Sequence, residues 1–110
     1  MKIAWDVDDT LIVPAVATSG FDTDTPNYEN IAIYKWFQAQ GHTMIIWSGG
    51  GKDYAKHWAD KLGLKADIIA DKLLDVRTYD IDIAFDDCDV KLAKVNVKVK
   101  RINNGISRKE

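Results

Sequence analysis

The stretch Ile3-Ala4-Trp5-Asp6-Val7-Asp8-Asp9-Thr10-Leu11 combines a strand pattern with three aspartates in four positions. Apolar side chains occupy every second position from Ile3 to Val7, which is the two-residue period of a β-strand. If the alternation continues to the end, Asp6 and Asp8 project from the same face at the carboxyl edge of that strand. The stretch therefore predicts a buried strand that delivers carboxylates to one edge of a sheet.

These aspartates have two explanations that the stretch alone leaves open. Carboxylates placed so close together repel one another, and a divalent cation offsets their charge because hard cations prefer oxygen ligands. Alternatively, Asp8, Asp9 and Thr10 only cap and solvate a turn after the strand. The rest of the chain has to distinguish a metal site from a polar turn.

Length and composition predict one ordinary globular domain. The chain has 110 residues, of which 46% are hydrophobic and 29% charged, enough for a single core. We expect one domain over 1–110, with a core over 1–102 and a tail over 103–110. No apolar run approaches the ~18–20 residues that span a bilayer, and the start lacks the regions of a signal peptide. The single cysteine, Cys88, cannot form an internal disulfide, so we expect a cytoplasmic protein without a membrane partner.

Charge is distributed unevenly along the chain. The net charge is −2, but residues 1–90 hold 8 Lys/Arg against 16 Asp/Glu, whereas residues 91–110 hold 7 Lys/Arg against one acid. Lys94, Lys98 and Lys100 fall on one face of the last predicted strand. They either steer polyanions toward a site or protect an edge strand from aggregation, and we favour edge protection.

The first half of the chain reads as strand, loop, helix, strand and helix. Residues 12–26 predict a loop with a short hairpin, and Thr25 and Pro26 predict the cap and first position of a helix that ends at Gly41. An apolar run over 43–48 predicts a strand covered on both faces. A second helix is predicted over 52–62, closed by a glycine.

The second half adds three more strands. They are predicted over 67–70, 81–85 and 95–99, and a short, partly helical piece follows the first of them. The order predicts an α/β fold: a three-layer, Rossmann-like parallel sheet of about five strands with helices on both faces.

Polar side chains follow four strands of this predicted sheet. The first strand ends in Asp6 and Asp8, the second in Ser48, the third just before Lys72, and the fourth in Asp86 and Asp87. Ligands of open parallel sheets bind at the carboxyl ends of the strands, so we expect these residues to form one site. The glycines after Ser48 leave backbone N–H groups bare at a helix start, an arrangement that suits an anion.

The order of these residues resembles the haloacid dehalogenase-like superfamily, most of whose members transfer phosphoryl groups. Its first motif, Asp-x-Asp-x-Thr after a strand, is matched by Asp6, Asp8 and Thr10. Its second is matched by Ser48, its third by Lys72, and its fourth, paired acids after a strand, by Asp86-Asp87. The resemblance covers residues 2–90, and the four motifs in this order are far more specific than any one alone.

The resemblance implies a Mg²⁺-dependent phosphatase. Asp6 would attack phosphorus to form an aspartyl-phosphate, and Asp8 would act as general acid and then general base. Thr10 would brace the first loop. Magnesium would be held by Asp6, the backbone carbonyl of Asp8, Asp86 and Asp87. Phosphoryl oxygens would be held by Ser48, Lys72 and the N–H of Gly49.

Many members of this superfamily insert a cap domain, for which this chain has no room. Only a loop follows Leu11, and one helix and one strand separate Ser48 from Lys72. The open site would admit a small phosphate ester, a phosphorylated protein or a nucleic-acid end, or a neighbouring subunit would cover it in a homo-oligomer.

Other classes of protein fit less well. A response-regulator receiver carries its phosphoacceptor after the third strand and its lysine last, which is the wrong order. A metal-dependent nuclease would leave Ser48 and Lys72 without a purpose. The remaining alternative is a catalytically inactive phosphate-binding or protein-interaction module. We further expect Cys88 to be a small buried group and Asp22 and Asp24 to be solvated loop residues.

Overall fold

The computed structural model of the chain describes residues 1–14 and 24–101. Its elements, in chain order, are β1 (Lys2–Asp6), β2 (Ile12–Val13), β3 (Thr25–Pro26), α1 (Tyr28–Ala39), β4 (Thr43–Ser48), α2 (Lys52–Leu62), β5 (Ile68–Asp71), α3 (Lys72–Asp75), β6 (Ile83–Asp86) and β7 (Val95–Lys98). The predicted α/β class is confirmed.

Five strands form a sheet in the order β5-β4-β1-β6-β7, and every neighbouring pair is parallel. This confirms the expected five-stranded parallel sheet. Ala4 lies opposite Ile45 of β4 and Ala84 of β6, and Asp6 lies opposite Trp47. β1 is therefore the central strand, and its end lies between the ends of β4 and β6.

The core on one face of β1 is organised around Trp5. Its ring stacks on Phe85 with centroids 3.9 Å apart and an interplanar angle of 4°, and Tyr34 of α1 meets it edge-on at 5.8 Å. Ile3 and Trp5 pack with α1 and α2 residues in one buried cluster. Aromatic pairs of this kind add to the stabilisation that burial itself provides.

The opposite face of the sheet has a thinner cover than the prediction of helices on both faces implied. Ala4, Ile45 and Trp47 are packed there against residues 76–79 and 92–93, which lie in the connections after α3 and β6. Right-handed crossovers account for this division. The chain moves from β1 through β4 to β5 in one direction, which puts α1 and α2 on one face, and then returns past β1 to β6 on the other face.

Local signals located α2 correctly and α1 only approximately. α2 spans Lys52–Leu62 and ends at Gly63 in the left-handed conformation, as predicted. The predicted start of α1 at Thr25 and Pro26 is wrong, because these residues pair antiparallel with Ile12–Val13. Asn27 caps α1 instead, and its side chain accepts a hydrogen bond from the N–H of Asn30.

The last strand, β7, is an edge of the sheet. Lys94, just before its start, has intramolecular partners: its Nζ lies 3.4 Å from Asp80 and 3.2 Å from Asp82.

The predictions for Asp22 and for the 103–110 tail fall outside the described residues. No helix in the described ranges is long and apolar enough to span a bilayer.

Replacing Trp5 tests whether its stack is central to the core. Trp5 is fully buried, whereas Trp36 on α1 is 59% exposed. We expect Trp5→Ala to lower the free energy of unfolding by about 3–5 kcal/mol, because it removes a buried aromatic and leaves a cavity. Urea unfolding followed by circular dichroism measures this change. Trp36→Ala is the control and should cost under about 1 kcal/mol; equal losses in both variants would contradict the assignment.

Candidate active site

The ends of four parallel strands bring the predicted residues to one edge of the sheet. β1 ends at Asp6, β4 at Ser48 and β6 at Asp86, and these three strands are adjacent. β5 ends at Asp71, one residue later than predicted, and α3 begins directly with Lys72. The direction of the connections reverses at β1, and such a reversal leaves a crevice between neighbouring strand ends.

Lys72 joins two of the predicted carboxylates. Its Nζ lies 3.1 Å from Oδ1 of Asp6 and 3.0 Å from Oδ2 of Asp86. The Asp6 and Asp86 side chains are 7% and 3% exposed, and that of Lys72 is 19% exposed. Residues 66 and 14 positions from Lys72 along the chain therefore converge on one ammonium group.

The charges in this cluster shift the pKa of Asp6 strongly. Burial and then the charge of Asp86 raise the pKa of Asp6 from 3.8 to about 7, although Lys72 acts in the opposite direction. Burial lowers the pKa of Lys72, but the neighbouring Asp6 and Asp86 carboxylates outweigh it and leave that pKa raised. The cluster therefore favours a charged lysine and resists a second buried negative charge.

Asp87, the second acid of the fourth motif, has a different partner. Nε of Arg101 lies 2.7 Å from Oδ2 of Asp87 and 4.0 Å from Oδ2 of Asp9. Burial alone would raise the pKa of Asp87, but hydrogen bonds from Arg101 and from Asp6 lower it. In the sequence, Arg101 is one of seven basic residues over 91–110, and no local signal distinguishes it from the lysines around it.

The Asp8 side chain contacts Tyr54, whereas Lys72 contacts Asp6 and Asp86. β1 ends at Asp6, and the carbonyl of Val7 accepts hydrogen bonds from three successive N–H groups, those of residues 10 to 12. Asp9 has φ = 62°, so the chain turns sharply here. Asp8 is exposed, and its Oδ1 accepts a hydrogen bond of 2.6 Å from the hydroxyl of Tyr54. The sequence pattern gives no signal for this contact, because Tyr54 lies within the predicted helix 52–62 and far from Asp8 along the chain.

The glycine turn after β4 has the expected form. The Oγ of Ser48, which is 2% exposed, accepts a hydrogen bond of 2.9 Å from the N–H of Gly50. A Cβ at Gly49 would lie 4.0 Å from Cε of Lys72, so the turn borders the lysine. Gly51 has φ = 105° and gives α2 no side-chain cap. The first N–H groups of α2 are therefore suited to an anion beside Lys72.

The contacts of Thr10 are compatible with a bracing role, whereas Cys88 differs from its prediction. The Thr10 hydroxyl is buried and has no hydrogen-bond partner among residues 1–14 and 24–101, and the backbone carbonyl of Thr10 accepts a bond of 2.8 Å from the Asn30 side chain. Cys88 is exposed, not buried as predicted, because it follows the last buried residues of the β6 end. Burial and the charges of Asp87 and Asp86 raise the pKa of its thiol, which disfavours a nucleophilic thiolate.

The acidic side chains at this edge could hold a divalent cation. Asp6, Asp86 and Asp87 are all at most 8% exposed and offer only oxygen ligands. Ligand atoms of Asp86, Asp87 and Cys88 lie within 4.8 Å of one another. Together with Asp8 and Asp9, the carboxylates outnumber the cations that face them, Lys72 and Arg101. Burial is the main cause of the raised pKa of Asp6, and additional positive charge would offset the second cause, the repulsion from Asp86.

Comparison with known proteins adds no relative: no family model, curated protein or solved structure matches the chain. The assignment of a function must therefore depend on the geometry of the site.

The raised pKa of Asp6 predicts a pH-dependent gain in stability on Asp6→Asn substitution in metal-free buffer. The folded state binds the Asp6 proton more tightly than the unfolded state, so this group's contribution to stability falls as pH rises from about 4 to about 7. An asparagine avoids this cost but can still accept a hydrogen bond from Lys72. At about 1.4 kcal/mol per pKa unit, we expect Asp6→Asn to be more stable by on the order of 2–4 kcal/mol at pH 8.

Urea unfolding between pH 4 and pH 8, in EDTA, measures this difference. The gain should shrink toward zero near pH 4. Asp60→Asn, at an exposed carboxylate paired with Lys56 on α2, is the control and should change stability by under about 1 kcal/mol. A destabilised Asp6→Asn at pH 8 would show that the Asp6–Lys72 ion pair outweighs the burial of the charge.

Proposed function

We propose that the chain is a Mg²⁺-dependent phosphohydrolase of the haloacid dehalogenase-like type, with a three-layer core and no cap, that uses Asp6 as its nucleophile. The observation that carries the proposal is the contact of Lys72 with both Asp6 and Asp86 at 3.1 and 3.0 Å, beside the glycine turn after β4. A buried carboxylate next to a fixed cation and an anion-binding turn is suited to attack on a phosphate ester.

In the first step, a carboxylate oxygen of Asp6 forms a bond to phosphorus. The bond from phosphorus to the ester oxygen breaks, its electron pair goes to the leaving oxygen, and Asp8 donates a proton to that oxygen. Lys72, the Ser48 hydroxyl and the Gly49 N–H hold the phosphoryl oxygens as their charge changes. The exposure of Asp8 is compatible with this role, because the leaving group approaches from the open side of the site.

In the second step, Asp8 takes a proton from water as the water oxygen bonds to phosphorus. The bond between phosphorus and Asp6 breaks, which releases inorganic phosphate and restores the carboxylate. A bound Mg²⁺, held by Asp6, the Asp8 carbonyl, Asp86 and Asp87, would offset the negative charge that nucleophile and substrate share. Each of the two acids already pairs with a cation, Asp86 with Lys72 and Asp87 with Arg101, and Asp87 would be the further or water-mediated ligand that the resemblance implies.

We infer that the site is open to solvent, so the size of the substrate is not restricted by a cap. Between Ser48 and Lys72 the structure holds only α2 and β5, so no inserted domain covers the site from this segment. A small phosphate ester, the phosphorylated end of a nucleic acid or a phosphoprotein would each be able to reach Asp6.

Phosphatase activity is the first test. We expect phosphate release from p-nitrophenyl phosphate, or from a panel of nucleotides, sugar phosphates, phosphopeptides and 5′- and 3′-phosphorylated oligonucleotides, that requires Mg²⁺ and stops in EDTA. Asp6→Asn should lose about a thousandfold or more in kcat, because the nucleophile is removed. Beryllium fluoride should load Asp6. Asp89→Asn, at an exposed acid beyond β6, is the matched control and should retain activity.

Failure of the whole panel with Mg²⁺ would instead favour the inactive phosphate-binding module. Labelling of a residue other than Asp6 would contradict its assignment as nucleophile.

Metal binding can be tested without turnover. We expect millimolar Mg²⁺ to raise the melting temperature of the wild-type chain, because a ligand that binds only the folded state stabilises it. Asp86→Asn should lose most of this increase, and Asp89→Asn should keep it. Differential scanning fluorimetry with and without Mg²⁺ measures both. An undiminished response in Asp86→Asn would place the ion elsewhere.

A further inference from the structure

Tyr54 forms the one hydrogen bond that the structure gives to the Asp8 carboxylate among the described residues. The distance from its hydroxyl to Oδ1 of Asp8 is 2.6 Å, which is typical of a bond from a hydroxyl to a charged oxygen. Asp8 itself is exposed. An exposed carboxylate is solvated and samples several rotamers. A strong hydrogen bond from a fixed donor therefore restricts the direction in which the Asp8 carboxylate points.

Tyr54 is itself held in place from two sides. Its ring packs against the glycine turn, where a Cβ at Gly50 would lie 3.3 Å from Cδ2 of Tyr54 and 3.3 Å from Oγ of Ser48. On its other side Tyr54 is part of α2, whose next turn carries the buried Trp58. An ionised carboxylate can only accept, so the Tyr54 hydroxyl directs its proton at Asp8.

We propose that Tyr54 is a positioning residue that orients the Asp8 carboxylate for proton transfer. The inference rests on the proposed function, in which Asp8 protonates the leaving oxygen and then deprotonates water. Tyr54 joins the loop after β1 to the turn after β4, so the group that handles the proton is fixed relative to the groups that hold the phosphate. Tyr54 need not touch the substrate to have this effect.

The chemistry of the leaving group gives a test that a purely structural role would not satisfy. A good leaving group such as p-nitrophenolate departs without a proton, whereas an alkoxide needs one as its bond to phosphorus breaks. kcat/KM reports the step in which the leaving group departs. A misplaced Asp8 should therefore lower kcat/KM for alkyl phosphates much more than for aryl phosphates with acidic leaving groups.

The experiment compares Tyr54→Phe with the wild-type chain on a series of substituted phenyl and alkyl phosphates in Mg²⁺. We expect kcat/KM to fall about tenfold or more for the alkyl esters and less than about threefold for p-nitrophenyl phosphate, so that its dependence on leaving-group basicity becomes steeper. Phenylalanine keeps the ring that packs on Gly50, and melting temperatures will verify folding. Tyr28→Phe, at a tyrosine that is 75% exposed on α1, is the matched control and should leave the series unchanged.

A double-mutant cycle tests whether Tyr54 acts through Asp8. If Tyr54 acts through Asp8, Tyr54→Phe should cause no further loss in alkyl-phosphate turnover once Asp8→Asn is present. An equal loss for all leaving groups, no loss at all, or fully additive losses in the cycle would overturn the inference while leaving the phosphatase intact. A wild-type chain that hydrolyses no ester would overturn the inference and the proposed function together, since there would be no acid catalysis to support.

Discussion

The contact of one ammonium group, that of Lys72, with the buried carboxylates of Asp6 and Asp86 is the interaction on which the site depends. Two buried negative charges side by side are unfavourable in a protein interior, and a fixed cation between them makes the arrangement tolerable. The contact also defines the geometry, because β1, β6 and the start of α3 must end at the same place for it to form. The parallel sheet supplies that condition by ending adjacent strands at one edge.

The compensation is incomplete, and this is chemically informative. Burial and, after it, the charge of Asp86 keep the pKa of Asp6 raised despite Lys72, so ionising Asp6 in the folded chain has a free-energy cost that Lys72 does not fully offset. A cost of this kind is typical of functional sites. A hard divalent ion would remove it and at the same time prepare Asp6 to meet an anionic ester. We infer that stability has been exchanged for a reactive, metal-dependent carboxylate.

Much of the architecture could be predicted from local patterns, and the failures have a common cause. The limits of α2 follow from glycines at both of its ends, and both are local features. The start of α1 was misplaced because Thr25 and Pro26 pair with Ile12 and Val13, a contact between segments distant in sequence. The one-turn α3, which leaves one face with a thin cover, is too short to have a periodic signal. Cys88, predicted to be a small buried group because no basic partner for a thiolate is evident nearby in the sequence, is exposed because the chain leaves the core just after Asp87.

Local sequence patterns were enough to predict the α/β class and the succession of strands and helices along the chain, because strand period and polar strand ends are readable from neighbouring residues. They also gave the candidate site residues Asp6, Asp8, Ser48, Lys72, Asp86 and Asp87. Only the tertiary structure decided which of these groups touch. Lys72 meets Asp6 across 66 positions and Tyr54 meets Asp8 across 46, and Arg101 meets Asp87 from a segment that read as a basic edge. Such contacts form because crossover connections bring segments that are distant in sequence together in space. Local hydrophobic periodicity contains no information about which distant segments will meet.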